Sequence, residues 1–285
     1  MPLTKISINN FRCFEGLEIS LSPGVNFFYG ANGSGKTSIL EAVFIFSSGK
    51  SFKSSNLTSL IKHNCNNFLL KAYDGKRGYV AEIEKNKNKS ISVLLNNNKI
   101  VTSRLIKEFP CTPIHNNTFS FADASPDFRR KLLDRSIFIA EEEFSKTWFS
   151  YHKALKQRNH ILKNNRISDI YAWNSKLSQD GEMLSKLRNN FFDKTLQEFK
   201  ILLKRLEPNN IFDFFESISI NFSQGWSAEN TLFQSLEKNE QKDLKRKTTT
   251  EGPHKSDIKF LINEIDARQI LSRGEQKFFS ILWSC

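Results

Sequence analysis

The chain has 285 residues, enough for one large domain or two modest ones with a substantial core. Hydrophobic residues make up 39% and charged residues 25%, and no apolar run reaches the roughly 20 residues a membrane-spanning helix needs, so no membrane span is expected. The net charge of +12 favours a polyanionic partner such as nucleic acid, although the abundance of Lys, Asn, Ile and Phe is also what AT-rich codons supply. The N-terminus runs straight into a strand-like pattern without a signal-peptide core, and the expected location is the cytoplasm. Cys13, Cys65, Cys111 and Cys285 are scattered, with no Cys-x-x-Cys pair and no metal-site spacing.

In chain order, Leu3, Ile6, Ile8 and Phe11 predict a first strand, and the alternation over 17–21 a second, half-buried one. Ser22-Pro23-Gly24 is a turn. Val25-Asn26-Phe27-Phe28-Tyr29 reads as a short strand buried on both faces, feeding into Gly30-Ala31-Asn32-Gly33-Ser34-Gly35-Lys36-Thr37. Beyond it Ile39, Leu40, Val43 and Phe44 recur at helical spacing until Gly49. The octapeptide matches Gly-x-x-x-x-Gly-Lys-[Ser/Thr] in full. Its glycines let successive amides converge on phosphates, Lys36 adds a point charge, and the Thr37 hydroxyl suits Mg²⁺. The helix that follows adds the positive end of its dipole. ATP and Mg²⁺ are therefore the expected cofactors.

Residues 68–101 predict a β-meander, with 79–84 and 90–95 as strands around a turn at 85–89 and Asn96-Asn97-Asn98 as a hairpin turn. Ser125-Pro126-Asp127 is a helix start with Ser as N-cap. Phe144, Trp148, Tyr151, Leu155 and Leu162 share one helical stripe. Ile170, Trp173, Leu177, Leu184, Leu187 and Phe191 continue in a heptad-like pattern until Pro208, and the two stretches predict a short antiparallel helical arm. The three aromatics Trp148, Tyr151 and Trp173 read as core. Lys146, Lys153, Lys156, His160 and Lys163 project opposite the stripe, as either a solvated face or a surface for a DNA backbone. The basic stretch from Lys238 to Asp257 predicts a mobile connection, and Ile258, Phe260 and Ile262 a strand. Arg129 and Arg130 read as surface residues. Leu271-Ser272-Arg273-Gly274-Glu275-Gln276 is either a plain helix N-cap or a second phosphate-binding helix start.

Taken together these stretches resemble the RecF family of bacterial DNA repair proteins. The likeness is carried by Asn10-Phe11-Arg12, by 32–38 with Leu40-Glu41-Ala42, by Ser125-Pro126 with Arg129-Arg130 and Leu133-Asp134, by the run from Tyr151 to Asn159, by Gly252-Pro253-His254-Lys255, and by 271–277. The resemblance implies an α/β fold: an ABC-type P-loop ATPase head whose lobe I has a mixed sheet, with an inserted α-helical lobe or arm. The implied division is 1–124 as lobe I with the P-loop, 125–250 as the helical lobe, and 251–285 as a return to lobe I carrying the signature motif.

It further implies that Arg12, Gly30, Ala31, Asn32, Gly33, Ser34, Gly35, Lys36, Thr37 and Ser38 hold the nucleotide. Ser272, Arg273, Gly274 and Gln276 then complete the site of a second copy in an ATP-dependent homodimer. Lys153, Lys156 and Lys163 are the candidate DNA contacts. The implied partners are single-stranded and gapped duplex DNA with RecR and RecO, in RecA loading, replication and the SOS response. Two features depart from the pattern. No Gln lies between Thr37 and Gln157, leaving His115 or Asn116 as substitutes for the usual Mg²⁺-orienting residue. The Walker-B Asp, the catalytic carboxylate and the switch His expected after the signature helix are not in the sequence, so a C-terminally truncated chain with weak nucleotide binding and negligible hydrolysis is expected. A non-hydrolysing scaffold is the alternative. A transporter's nucleotide-binding subunit fits less well because the stretch from Lys36 to Ser272 is too long, and a P-loop nuclease of the overcoming-lysogenisation type would need a carboxylate domain.

Overall fold

The computed structural model describes residues 3–114, 124–164, 167–206 and 218–284. They form two compact units, divided after Pro113.

In the first unit, β1 (Lys5–Phe11) and β2 (Phe14–Ser20) pair as a hairpin, followed by α1 (Lys36–Ser48), β3 (Asn67–Asp74), β4 (Tyr79–Asn86), β5 (Ser92–Leu95), β6 (Asn98–Lys99) and α2 (Thr102–Glu108). The strands build one sheet in the order β2-β1-β3-β4-β5-β6, antiparallel at every pairing. Register follows the apolar alternation: Ile6 and Ile8 pair with Ala72 and Leu70, which pair in turn with Ala81 and Ile83. Those side chains form one core with Ile39, Ala42, Ile45 and Phe46 of α1 and Leu105 of α2. The expected hairpin turn forms at Asn96 and Asn97, both left-handed at φ 47° and 64°. Gly49 ends α1 as expected, its amide bonding to the Ile45 carbonyl at 2.8 Å.

One expected strand is absent. Val25–Tyr29 is not a strand, and Val25, Phe27 and Tyr29 are 75%, 85% and 94% exposed. Only Phe28 packs on the core. An apolar run becomes a buried strand only where a neighbouring strand takes up its amides and carbonyls, and none does so here among the described residues. Instead Asn26 folds back on Ser22, accepting from its amide at 2.9 Å and donating to its carbonyl at 3.0 Å.

In the second unit, α3 (Pro126–Ala140) starts at Ser125, whose hydroxyl accepts from the Phe128 amide. α4 (Phe144–Asn164) and α5 (Ile170–Leu206) form an antiparallel pair, as the cross-links Ser150–Asp180 and Arg158–Asn174 show. The core contains Phe144, Tyr151, Leu177 and Leu184, with Trp148 and Trp173 packed against it, as the stripe predicted. β7 (Ile218–Ser223), β8 (Asp257–Ile262) and β9 (Ile265–Asp266) make a second antiparallel sheet. α6 (Leu232–Lys238), α7 (Glu240–Arg246), α8 (Ala267–Ile270) and α9 (Arg273–Ser284) complete the unit. His115, Asn116, Pro208 and Cys285 lie outside the described residues. Among the described residues no helix is long and apolar enough to cross a membrane.

The segment 238–257 is not the expected mobile connection. Asp243 and Thr249 are fully buried and α7 occupies its first half. The reason is hidden among the lysines: Asp243 accepts from the Thr250 amide at 2.9 Å and pairs with Arg158 of α4 at 2.7 Å. Arg129 and Arg130 are not simple surface residues either. Arg129 is buried and forms a fork with both oxygens of Asp257 at 2.8 Å, and Arg130 donates to the Ser256 carbonyl at 2.7 Å.

Candidate nucleotide-binding site

The glycine loop leads into α1, and its backbone is one that L side chains avoid. Gly33 and Gly35 have φ of 84° and 94°. A β-carbon at Gly35 would collide with the Phe14 ring and lie 2.9 Å from the Cys13 sulfur, so the hairpin end of β1 and β2 abuts the loop. Gly35 is the N-cap of α1 and no carboxylate stands in the helix's first turn, which leaves its first amides and its dipole available to an anion. Leu40, expected on the apolar stripe, is 53% exposed, while Ile39, Ala42 and Ile45 face inward.

A cavity of about 570 Å³ opens over this helix start, lined by Asn32, Gly33, Gly35, Lys36, Thr37 and Ser38 from the loop and by Arg12 from across it. Lys53, Ser59 and Ile61 close another side. Arg12, Lys36 and Lys53 bring positive charge to the lining, which among the described residues holds no carboxylate. That is the polarity a polyphosphate requires. The Lys36 ammonium donates to the carbonyls of Gly30 and Ala31, each at 2.8 Å, so it spans the loop from within. Arg12 forms a bidentate fork with Glu41 of α1, 2.9 Å on each arm, and the hydrogen bond to that carboxylate holds its pKa above the ordinary arginine value. The residues present suit a nucleoside triphosphate. The Thr37 hydroxyl suits Mg²⁺, a cation that takes few protein ligands and completes its shell with phosphates and water. Among the described residues no cluster of His, Cys, Asp and Glu could hold a metal without a nucleotide.

Of the nucleotide residues expected from sequence, Arg12, Asn32, Gly33, Gly35, Lys36, Thr37 and Ser38 line this cavity. Gly30 and Ala31 serve it through the carbonyls that bond Lys36, and Ser34 belongs to the same loop. Sequence reasoning did not assign Lys53 or Ser59 to it. The serine- and lysine-rich stretch 50–54 was the only hint, and no spacing rule tells such a stretch from a polar loop.

Ser272, Arg273, Gly274 and Gln276 belong to the second unit, at the start of α9. Ser272 and Glu275 form a capping box: the Ser272 hydroxyl accepts from the Glu275 amide at 3.3 Å, and Glu275 accepts from the Ser272 amide at 2.7 Å. Gln276 donates to the Leu271 carbonyl at 2.9 Å. On α4, Lys153, Lys156 and Lys163 are exposed, as are Lys146 and His160. The run Tyr151–Asn159 thus separates by helical phase. Its lysines face outward, while Tyr151, Ala154 and Arg158 are buried.

The Gly252-Pro253-His254-Lys255 motif is enclosed by that buried face. Tyr151 and His254 are joined through the phenol oxygen and Nδ1 at 2.7 Å, and His254 Nε2 lies 3.0 Å from the Thr249 carbonyl. A carbonyl only accepts, so Nε2 carries the proton and Tyr151 donates to Nδ1. Burial lowers the His254 pKa to about 4 and pushes the Tyr151 phenol well above its ordinary value. Arg188 of α5 donates to the Pro253 carbonyl at 2.6 Å and forks onto Asp134 of α3, which also accepts from Trp148.

Comparison with known proteins accounts for this combination. Residues 2–282 match the family described as RecF/RecN/SMC N terminal domain. The "DNA replication and repair protein RecF" of Nitrosococcus oceani is 32% identical over 295 residues, covering 98% of this chain and 77% of that protein. Its counterpart in Actinobacillus pleuropneumoniae is 33% identical over 283 residues, covering 97% and 76%. The chain belongs to the RecF family. A solved structure of "the recombination mediator protein RecF-ATP in RecFOR pathway" superposes with a TM-score of 0.81 at 25% identity, over 99% of this chain and 79% of that one. A Smc head bound to the C-winged helix domain of ScpA shares the fold, with a TM-score of 0.53 at 16% identity over 99% of this chain and 74% of that one. The α/β, ABC-type ATPase head expected from sequence is therefore the fold of this RecF-family chain, which spans about three quarters of the length of the RecF relatives it matches.

Proposed function

We propose that this chain binds ATP with Mg²⁺ at the glycine loop and acts on DNA in recombinational repair and replication, with RecR and RecO as protein partners. The observation that carries the reading is the cavity at the α1 N-terminus, whose described lining carries Arg12, Lys36 and Lys53 and no carboxylate. Asn32 to Ser38 would hold the phosphates, and Thr37 the metal. Bound Mg²⁺ supplies neutralisation of phosphate charge. Ser272, Arg273, Gly274 and Gln276 would then meet the nucleotide held by a second copy, coupling ATP to pairing.

Titration calorimetry with ATP and Mg²⁺ tests the core of this reading. Lys36→Ala is expected to abolish measurable binding while leaving the melting temperature of the nucleotide-free chain within a few degrees. Equal ATP affinity in the two proteins would overturn the assignment.

The DNA role rests on the exposed lysines of α4. Replacing Lys153, Lys156 and Lys163 with Glu is expected to weaken binding to gapped DNA. It should also lower the slope of log affinity against log salt by about 0.9 for each phosphate that is no longer neutralised. An unchanged affinity and slope in a gel-shift salt series would exclude this face.

A further inference from the structure

Of the three basic residues in the cavity lining, Arg12 and the backbone of Lys53 are tied to one group outside it. Arg12 sits in the turn between β1 and β2 at φ 54°, a left-handed backbone disfavoured for any residue with a β-carbon, and its amide donates to the Leu60 carbonyl at 2.7 Å. Its side chain is pinned as well, by Nε and Nη2 donating to the two oxygens of Glu41. Glu41 is completely buried, on the turn of α1 that also buries Ala42 and Ile45. A carboxylate is costly there unless it is fully paired, and an apolar side chain would fill the same space without that cost.

Both oxygens of Glu41 are engaged by Arg12, and Oε1 also accepts from the Ser51 hydroxyl. Ser51 Oγ in turn accepts from the amides of Lys53 and Ser54, each at 2.9 Å. The hydroxyl thus donates once and accepts twice, its full capacity. One buried carboxylate therefore fixes Arg12 directly and the backbone of Lys53 through a single hydroxyl, and both residues line the cavity.

We infer that Glu41 is the positioning residue of the nucleotide cavity, acting on Arg12 by its fork and on Lys53 by way of Ser51. The inference rests on the proposed binding of ATP at the glycine loop. Glu41 places a negative charge near a site for an anion, so its value lies in geometry. The fork engages Nε and part of Nη2, and the remaining guanidinium protons stay available to a phosphate.

A double-mutant cycle read by ATP calorimetry tests this. Glu41→Gln keeps the shape but sets an amide donor against the arginine's donors, so the fork is broken. ATP affinity is expected to fall about tenfold, the scale of a missing hydrogen bond to a charged group. In an Arg12→Ala background the same substitution should cost little more, because the residue it positions is gone. A purely structural Glu41 would give an undiminished loss in both backgrounds, and that result, or an affinity unchanged or raised by Glu41→Gln alone, overturns the inference. If Glu41→Gln does not fold, Ser51→Ala and Lys53→Ala make an equivalent cycle, with about threefold expected for Ser51→Ala and near-complete coupling. No effect, or additive effects, would overturn the inference there. Native protein that fails to bind ATP overturns the nucleotide reading beneath it as well, whereas native binding with an indifferent Glu41→Gln overturns this inference alone.

Discussion

The glycine loop at 30–37 and the turn at 252–255 look alike as strings: each mixes glycine with a basic residue, and each belongs to a stretch that carried the family likeness. Their environments differ in where polar groups find partners. Around the loop, Asn32, Gly33 and Thr37 are exposed and the cations face a cavity. Around the turn, Gly252 and Pro253 are buried, the Pro253 carbonyl is taken by Arg188, and both nitrogens of His254 have partners. Gly252 itself adopts φ 132°, and a β-carbon there would lie 2.8 Å from the Tyr151 hydroxyl. Polar groups enclosed and bonded on every side hold a fold together, whereas those that keep donors open towards a cavity are positioned for a ligand.

The strongest way to break this contrast is to disrupt the buried network and look for an effect on nucleotide. Arg158 and Asp243 are both fully buried and bond at 2.7 Å, and Arg158 also reaches Asn174 and Thr249. Removing one partner of a buried pair leaves the other uncompensated, so Arg158→Ala is expected to lower unfolding stability by about 3–5 kcal/mol. Denaturant titration measures that loss. ATP affinity at permissive temperature should not move, and a parallel fall in affinity would dissolve the contrast.

A smaller effect is expected from pH. Folded His254 protonates only near pH 4, against 6.5 for the free side chain, so on acidification the unfolded chain takes up its proton first. The stability that depends on neutral His254 is complete above about pH 6.5. It declines as pH falls towards 4, by roughly 3 kcal/mol in all. The unfolding free energy measured across that window should show this slope in the native chain and lose it in His254→Gln. An identical slope in both would place the titrating group elsewhere.

The smallest effect sharpens the comparison, because Ser272 sits between the two cases. Its hydroxyl already caps α9, yet it is exposed and belongs to the motif expected to meet nucleotide on a second copy. Ser272→Ala is expected to cost about 1 kcal/mol of stability by thermal unfolding and to leave single-chain ATP affinity unaltered. A loss of ATP-dependent pairing in sedimentation, beyond what that destabilisation explains, would align Ser272 with the glycine loop.

Much of this was legible in the sequence, and the misses share a cause. β1, the β3–β6 meander, α3, α4 and α5 follow from period, caps and turn residues, which are local signals. The loop was legible because its chemistry is carried by backbone amides and adjacent side chains. Val25–Tyr29 was misread because an apolar run reports hydrophobicity and says nothing of whether a strand lies beside it. The stretch 238–257 was misread because Lys245, Arg246 and Lys247 dominate its composition, while the inward residues Asp243 and Thr249 decide its order through an arginine on α4. Glu41 stood in the matched motif with no role, since its partner Arg12 lies 29 residues away.

The segment at 25–29 also bears on how the protein behaves in a tube. Phe27 and Tyr29 expose aromatic surface in a stretch with no charge and no proline. Attraction between such surfaces is entropic near room temperature and weakens on cooling. Self-association through this patch should therefore strengthen on warming and weaken in the cold, working against the mutual repulsion of chains that each carry a net charge of +12.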